Sequence, residues 1–519
     1  MFSTLDLVIV IAYAVILFGL AQWVSRDEAG HDKDASDYFL ASKSLPWWAI
    51  GASLIASNIS AEQIIGMSGS GFAIGLGIAS YEWMAAITLI LVGKYLLPVF
   101  LKNGIYTMPQ FLERRYDHKV RMVMAFFWLG VYVFVNLTSI LWLGALAVEA
   151  VTGASLTIGL IGLAVFAISY SLYGGLKAVA FTDIIQVVLL VFGGLVIAYI
   201  VLNAVSDGGG VVAGFHALVQ QAPEKFDMIL DKSNPHYASL PGISVLVGGL
   251  WIMNISYWGF NQYIIQRALA AKDLGEAQKG IAFAAFLKLL MPVIVVLPGI
   301  AIFVLKPDLA LPDQAYPTAM NLLPTGLLGL VFAALVAAIV SSLGSMANSI
   351  STIFTMDIYP SLVKEEKRRD PVMVGRIAAL VAMTLAVVTA KPLLGQFDQA
   401  FQYIQEFTGF FTPGIVVIFF LGIFWKRTTA NGALAAAIGS AVMSFALKQL
   451  MPELPFIDRV GIVFLACTAL AVVVSLVQNG GVQKGAVDLD EISFKTKSSF
   501  NIASLVVGLI LIALYATWW

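Results

Sequence analysis

Runs of about 20 mainly apolar residues recur along this chain, and a helical run of that length matches the hydrocarbon thickness of a bilayer. Fourteen can be marked, at about 6–25, 48–70, 82–101, 122–148, 156–173, 179–204, 243–264, 280–304, 324–355, 371–391, 401–424, 430–449, 459–477 and 500–518. The longest gap, 205–242, suits a short surface helix and not a separate globular domain. Of the 519 residues, 60% are apolar and 12% are charged, and the mean hydropathy is +0.89. A soluble domain is roughly 45–50% apolar, so in water this chain would expose large adhesive patches. The composition specifies an all-α polytopic membrane protein. The first run has no small-residue cleavage site and reads as a retained helix.

Lys and Arg orient the spans, because cytoplasmic loops collect them. Gaps after the odd-numbered runs hold twenty-two of the thirty, and the alternate gaps hold six. That alternation requires fourteen spans and places both termini outside a plasma membrane, or an inner membrane if bacterial. The net charge of −1 points to no nucleic-acid or acidic partner. Cys467, the one cysteine, lies in an apolar run, so no intrachain disulfide can form.

The second run is interrupted by Ser57, Asn58, Ser60, Glu62 and Gln63, then by Gly66, Gly69 and Gly71. Ser and Asn compete for backbone hydrogen bonds, and an opened backbone is tolerated at membrane depth only where it faces protein or water. The seventh run repeats the pattern in Trp251–Tyr263, with Asn254-Ile255-Ser256 echoing Asn58-Ile59-Ser60. Two interrupted helices at matching places in two halves mark the binding site of a secondary transporter. They lie five spans apart, an odd number, so the second copy is inverted. The chain divides into an extra helix at 6–25, repeats at 48–204 and 243–424, and peripheral helices at 430–519.

Glu62, Glu82, Lys94, Glu149, Asp183 and Lys288 are ionisable residues within runs, and such residues are costly enough at depth to suggest function. Glu82 and Lys288 read as ligand contacts or as an ion pair, and Asp183 as a helix cap or a cation exit. Ser341 and Ser342 share a helix face with Ala338. Two hydroxyls with carbonyls freed by a broken helix make an oxygen cage for Na+, with no titrating group for H+; packing of small residues is the alternative. Tyr257 and Phe401 stand within a turn of Asn254 and Gln405. An aromatic plate beside amides suits a polar ring with stackable C–H faces. No mid-span Arg is seen to clamp an anion, so a neutral polyol or sugar is expected.

With these residues marked, the chain resembles the sodium/solute symporter family, and within it the bacterial sodium/galactose (sodium/glucose-type) branch. The resemblance spans nearly the whole chain. It is borne by "DYFLASKSLPWWAIGASLIASNISAEQIIGMSGSG", "IASYEWMAAITLI", "YSLYGGLKAVAFTDIIQV", "NISYWGFNQYIIQRALAAK", "FAAFLKLLMP", "AAIVSSLGSM", "AFQYIQEFTG" and "FWKRTTANGA". It implies a leucine-transporter-type fold of inverted five-helix repeats with broken second and seventh spans. It implies sugar-hydroxyl partners at Gln63, Glu82, Asn254, Lys288 and Gln405, with Tyr257 stacking on the sugar and closing its inner side. Met67, Tyr81 and Phe401 match an outer gate. The Na+ ligands match the carbonyls of Ala56, Ile59 and Ala338 and the hydroxyls of Ser341 and Ser342, with Asp183 on the ion's inner path. Ala85 stands where a close relative has a pocket serine, and Gly344 stands where a second Na+ site would need a hydroxyl, which favours one Na+ per cycle.

The expected partners are a sugar, a sodium ion and the lipid bilayer, with self-association left open. The alternative substrate is another polar solute: a polyol, amino acid or organic acid. His31, His118, His216 and His236 all fall in or near gaps, and no nucleophile–base pair lies at depth, which argues against an enzyme. A sensor or channel would not accumulate solute against a gradient.

Overall fold

The computed structural model describes residues 2–24, 44–104, 107–394 and 400–519. Arg26, Lys33, Lys43 and His31 lie outside them, as do the side chains of 170–182, Lys177 included. The described residues are almost wholly helical, with one isolated bridge between Leu45 and Ala271. The principal helices in chain order are α1 (Thr4–Val24), α2 (Trp47–Asn58), α3 (Met67–Ala73), α4 (Leu76–Asn103), α5 (His118–Thr152) and α6 (Leu156–Val205). Then follow α7 (Val211–Gln221), α8 (Gly249–Ile255), α9 (Gln262–Leu269), α10 (Leu274–Leu305) and α11 (Leu327–Ile353). The last are α12 (Pro371–Leu394), α13 (Ala400–Gly409), α14 (Thr412–Phe424), α15 (Ala430–Leu450), α16 (Phe456–Asn479) and α17 (Ser498–Trp518). Among the described residues nine helices are long and apolar enough to cross a membrane, so the protein is multi-pass.

The helices sort by depth in the bundle. The span containing α11 is 89% buried over its most apolar stretch, whereas α17 is 17% buried. Peripheral helices turn Leu5, Val8, Ile11, Leu505, Leu509 and Ile512 outward, as lipid-facing surfaces do. The packed centre admits small residues where backbones approach. A Cβ at Gly71 would lie 2.8 Å from the Val296 carbonyl oxygen, so α3 and α10 meet at van der Waals limits. Asp6, fully buried, accepts the backbone N–H groups of Gly326 and Gly329 at 2.8 Å each. It thereby docks α1 on the positive end of α11.

The chain leaves helical geometry at two polar clusters. Ile59 has φ −78°, ψ 89°. Ser60 then restarts the helix, its hydroxyl accepting the Glu62 N–H at 3.1 Å and its carbonyl the Ile64 N–H at 3.0 Å. A widened π-type turn, Glu62–Gly66, leads into α3. Farther on, another π-type turn, Ser256–Phe260, ends at Asn261, which is extended (φ −83°, ψ 118°) before α9 begins. The N–H of Gln262, left over by that break, donates to the Tyr132 hydroxyl at 2.9 Å. Both interruptions thus have local partners for freed backbone groups, as burial in an apolar medium requires.

Two details depart from the sequence reading. The expected spans 156–173 and 179–204 are joined by helical backbone in α6 and not by a loop. Their junction contains no proline, so a lone Lys177 and two glycines do not interrupt the hydrogen-bond ladder. The expected span 401–424 is two helices, α13 and α14, bent by 45°. Pro413 lacks an N–H, and the Thr408 and Thr412 hydroxyls bond back to carbonyls of the preceding turn at 2.9–3.0 Å. The surface helix expected in 205–242 is α7.

Candidate functional site

A cavity of about 990 Å³, mouth included, lies beside both breaks. Gln63, Glu82, Asn254, Tyr257, Lys288 and Gln405 all line it, although they come from five separate helical segments. Tyr81 and Ala85 line it too. Lys288 is fully buried in the middle of α10, and its ammonium meets the Glu82 carboxylate at 2.5 Å. It also donates to Asn58 Oδ1 and stands 5.0 Å from the centre of the Trp258 ring. The ligand-or-ion-pair alternative therefore resolves into a pair that itself lines the cavity. In an apolar interior such a pair persists because each charge compensates the other.

The hydroxyl of Tyr257 joins the two breaks. It accepts from Asn58 Nδ2 at 2.9 Å and shares a short hydrogen bond with the Tyr263 hydroxyl. Tyr132, whose ring meets Tyr263 edge-on at 5.7 Å, donates to Asn261 Oδ1. On the other side, Met67 and Phe401 are buried, and the Phe401 ring meets Tyr81 edge-on at 5.4 Å. Met67 and Phe401 do not line the cavity, but Tyr81, against which Phe401 packs, does.

Next to this chamber α11 crosses the end of α2. The Ser342 hydroxyl donates to the carbonyls of Ser57 at 2.9 Å and Ala56 at 3.3 Å, leaving its own oxygen free to accept or ligate. Ala338 is buried one turn earlier on the same helix, and Ile59 is the residue at which α2 loses helical geometry. Ser341 donates to Asp183 Oδ1, and Ser53 donates to Oδ2. These oxygens are neutral but for one carboxylate, a donor set that suits a hard monovalent cation.

Arg267 is the residue that sequence reasoning misplaced. Counted above as a linker cation, it is fully buried. Its Nε donates to Ser53 Oγ at 3.1 Å, its Nη2 donates to Ser345 Oγ, and Nη2 lies 4.0 Å from Asp183. Ser345 in turn bonds Ser57 at 2.9 Å. A fully buried Arg is thus present, facing the ion-ligand candidates and not the cavity. Its signal was faint: Gln262, Gln266 and Arg267 crowd one short helix, and all three are fully buried. Asn58, read above only as a helix breaker, and Glu62, read also as an ionisable residue at depth, line the cavity as well, and Glu62 accepts from the Ser139 hydroxyl.

Known proteins bear on this geometry. Residues 38–439 match the model of the sodium:solute symporter family. The chain is 50% identical to a sodium/glucose cotransporter of Vibrio parahaemolyticus, across all of this chain and 98% of that one. It is 33% identical to sodium/myo-inositol cotransporter 2 of Mus musculus, over 83% of this chain and 68% of that one. A Na+-coupled sialic acid symporter in a substrate-bound outward-open state shares the fold, with a TM-score of 0.80 over 92% of this chain and 98% of that one at 24% identity. A match over most of the chain and identity of this extent leave one assignment: the chain is a Na+-coupled secondary transporter of the sodium:solute symporter family.

Proposed function

We propose that this transporter couples inward Na+ flow to uptake of a neutral, galactose- or glucose-like sugar by alternating access. The observation that carries the reading is the convergence of six polar or aromatic side chains from distant segments on one cavity, adjoining the Ser341–Ser342 oxygen cluster. The half-identical relative named for sodium and glucose supports the substrate class. Inverted repeats at 48–204 and 243–424 with broken second and seventh spans complete the proposed topology, in which the continuous helix α6 takes the place of the two spans expected at 156–173 and 179–204.

In this reading Gln63, Glu82, Asn254, Lys288 and Gln405 exchange hydrogen bonds with sugar hydroxyls. The Tyr257 ring covers one face of the sugar. Na+ is held by the carbonyls of Ala56, Ile59 and Ala338 and the hydroxyls of Ser341 and Ser342. Bound between α2 and α11, the ion fixes the end of α2 and, with it, Asn58 and the pocket. The outer layer of Met67, Tyr81 and Phe401 closes. The repeats rock, Na+ leaves past Asp183, and Tyr257 swings away from Asn58 to release the sugar inward. Coupling requires that ion and sugar each bind one state better than the other. One charge crossing 100 mV is worth about 2.3 kcal/mol. At about 1.4 kcal/mol per tenfold, that sustains roughly 50-fold accumulation with a single Na+.

A second reading, transport of a cyclic polyol, is favoured by the relative named for myo-inositol. The deciding experiment is uptake into sealed proteoliposomes under an imposed Na+ gradient, with labelled galactose, glucose and myo-inositol. Na+-dependent accumulation of a hexose is expected. Accumulation of none of the three, or accumulation unaffected by the Na+ gradient, would refute the proposal.

A further inference from the structure

The outer end of α3 packs against a loop that the transport cycle above leaves unused. Asp313 lies in a short turn, Pro312–Gln314, between α10 and α11, and is only 7% exposed. Its Oδ2 accepts the backbone N–H of Ala400 at 3.3 Å. Its Oδ1 is sealed from solvent and has no hydrogen-bond partner among the described residues. The carboxyl lies directly on the backbone of Gly69, where an added Cβ would stand 2.9 Å from Asp313 Cα. Gly69 follows Met67 by two residues, and Ala400 immediately precedes Phe401. One carboxyl group therefore touches the backbone of both segments that bear the outer layer. Those segments also meet directly, since a Cβ on Gly66 would lie 3.0 Å from that of Phe401.

We propose that Asp313 is a positioning residue that latches the outer gate shut while its carboxyl is neutral and releases it on ionisation. The inference rests on the gate reading given above. An ionised carboxylate with one oxygen dry and unpaired is costly. Burial accordingly pushes this carboxyl up to about 7. Among the described residues no neighbouring charge relieves it. The α3 helix has no ionisable side chain. Glu62, in the turn before α3, is engaged by Ser139. The short helix Ala315–Met320 offers Tyr316. The α13 helix offers Tyr403 and Glu406, the latter paired with Lys448 and Arg459. Separation of α3 from α13 admits water to Oδ1, so ionisation favours the open gate and acid the closed one.

The test places Met67→Cys in a Cys467→Ala background, with Asp398, outside the described residues, changed to Asn throughout. Right-side-out vesicles are labelled with a membrane-impermeant maleimide at pH 6 and pH 8, comparing Asp313 with Asp313→Asn. Dividing the two rates cancels the thiol's own titration. With a midpoint near 7, that ratio should rise on the order of tenfold from pH 6 to pH 8. Asp313→Ala, which loses the Ala400 acceptor, should label fast at both values. A flat ratio overturns the latch. Saturating Na+ and galactose should slow labelling in every variant. If they do not, the gate reading itself falls and the latch with it; protection combined with a flat ratio removes the latch alone.

Discussion

Replacing Lys288 by Met should destabilise the protein more than replacing Lys288 and Glu82 together. The two side chains are 0% and 3% exposed and 2.5 Å apart. Removing the ammonium leaves the Glu82 carboxylate buried without a counter-charge, which costs about 3–5 kcal/mol. It also deprives Asn58 Oδ1 of a donor, worth about 1 kcal/mol more. Glu82→Gln leaves the reverse orphan, an unpaired ammonium, at a similar cost. The double variant Glu82→Gln/Lys288→Met retains neither charge, and replacement of a buried pair by neutral groups is often close to neutral. Its unfolding midpoint in detergent, followed by tryptophan fluorescence, should lie nearer to wild type than either single variant. Sugar uptake, by contrast, should be absent in all three, because each variant alters at least one of the two charged hydroxyl partners proposed for the sugar. A double variant no more stable than its single parents would refute the pair as the energetic unit. A double variant that transports sugar normally would refute the pocket assignment.

Other outcomes follow from the same geometry. Ser342→Ala removes a hydroxyl from a cation's surroundings, worth about 1.5–3 kcal/mol, so half-maximal uptake should need roughly tenfold more Na+ or beyond; an unchanged Na+ activation curve would count against the cage. Tyr257→Phe retains the ring but loses the bonds to Asn58 and Tyr263; sugar exchange across the membrane should quicken relative to Na+-driven accumulation, and equal changes in both would argue against an inner latch. Asp6→Ala strips two N–H partners from the start of α11; a loss of about 2 kcal/mol in stability is expected from the two bonds and the helix end, with the sugar concentration for half-maximal uptake unchanged. A large shift in that concentration would show that α1 does more than anchor.

Membrane class, the rough position of most spans and the polar clusters at 57–63 and 254–263 can be read directly from residue order. The bilayer acts as a uniform solvent, so an apolar run of 20 residues crosses it whatever its neighbours are. Ser and Asn, likewise, loosen the helix that contains them, and the backbone angles at Ile59 and Asn261 are set within a few residues of those clusters. Residue type and spacing mark Glu82, Lys288, Asn254, Tyr257 and Gln405 one by one, and Gln63 as part of a polar break, but only resemblance to a family joins the six in one pocket; periodicity alone gives no reason to join Gln63 with Gln405.

Pairing across the bundle was not visible in this way. Arg267 looks like one more linker cation until α9 folds in against Ser53, Asp183 and Ser345, which lie far away along the chain. Lys288 and Glu82 are separated by 206 residues, and no local pattern says that they neutralise each other. Asp313 reads as an ordinary loop carboxylate, and its burial follows from Gly69 and Ala400 closing over it. Whether a buried charge is tolerable depends on which atoms stand within about 4 Å, and that distance is fixed when the helices pack, not when each one forms.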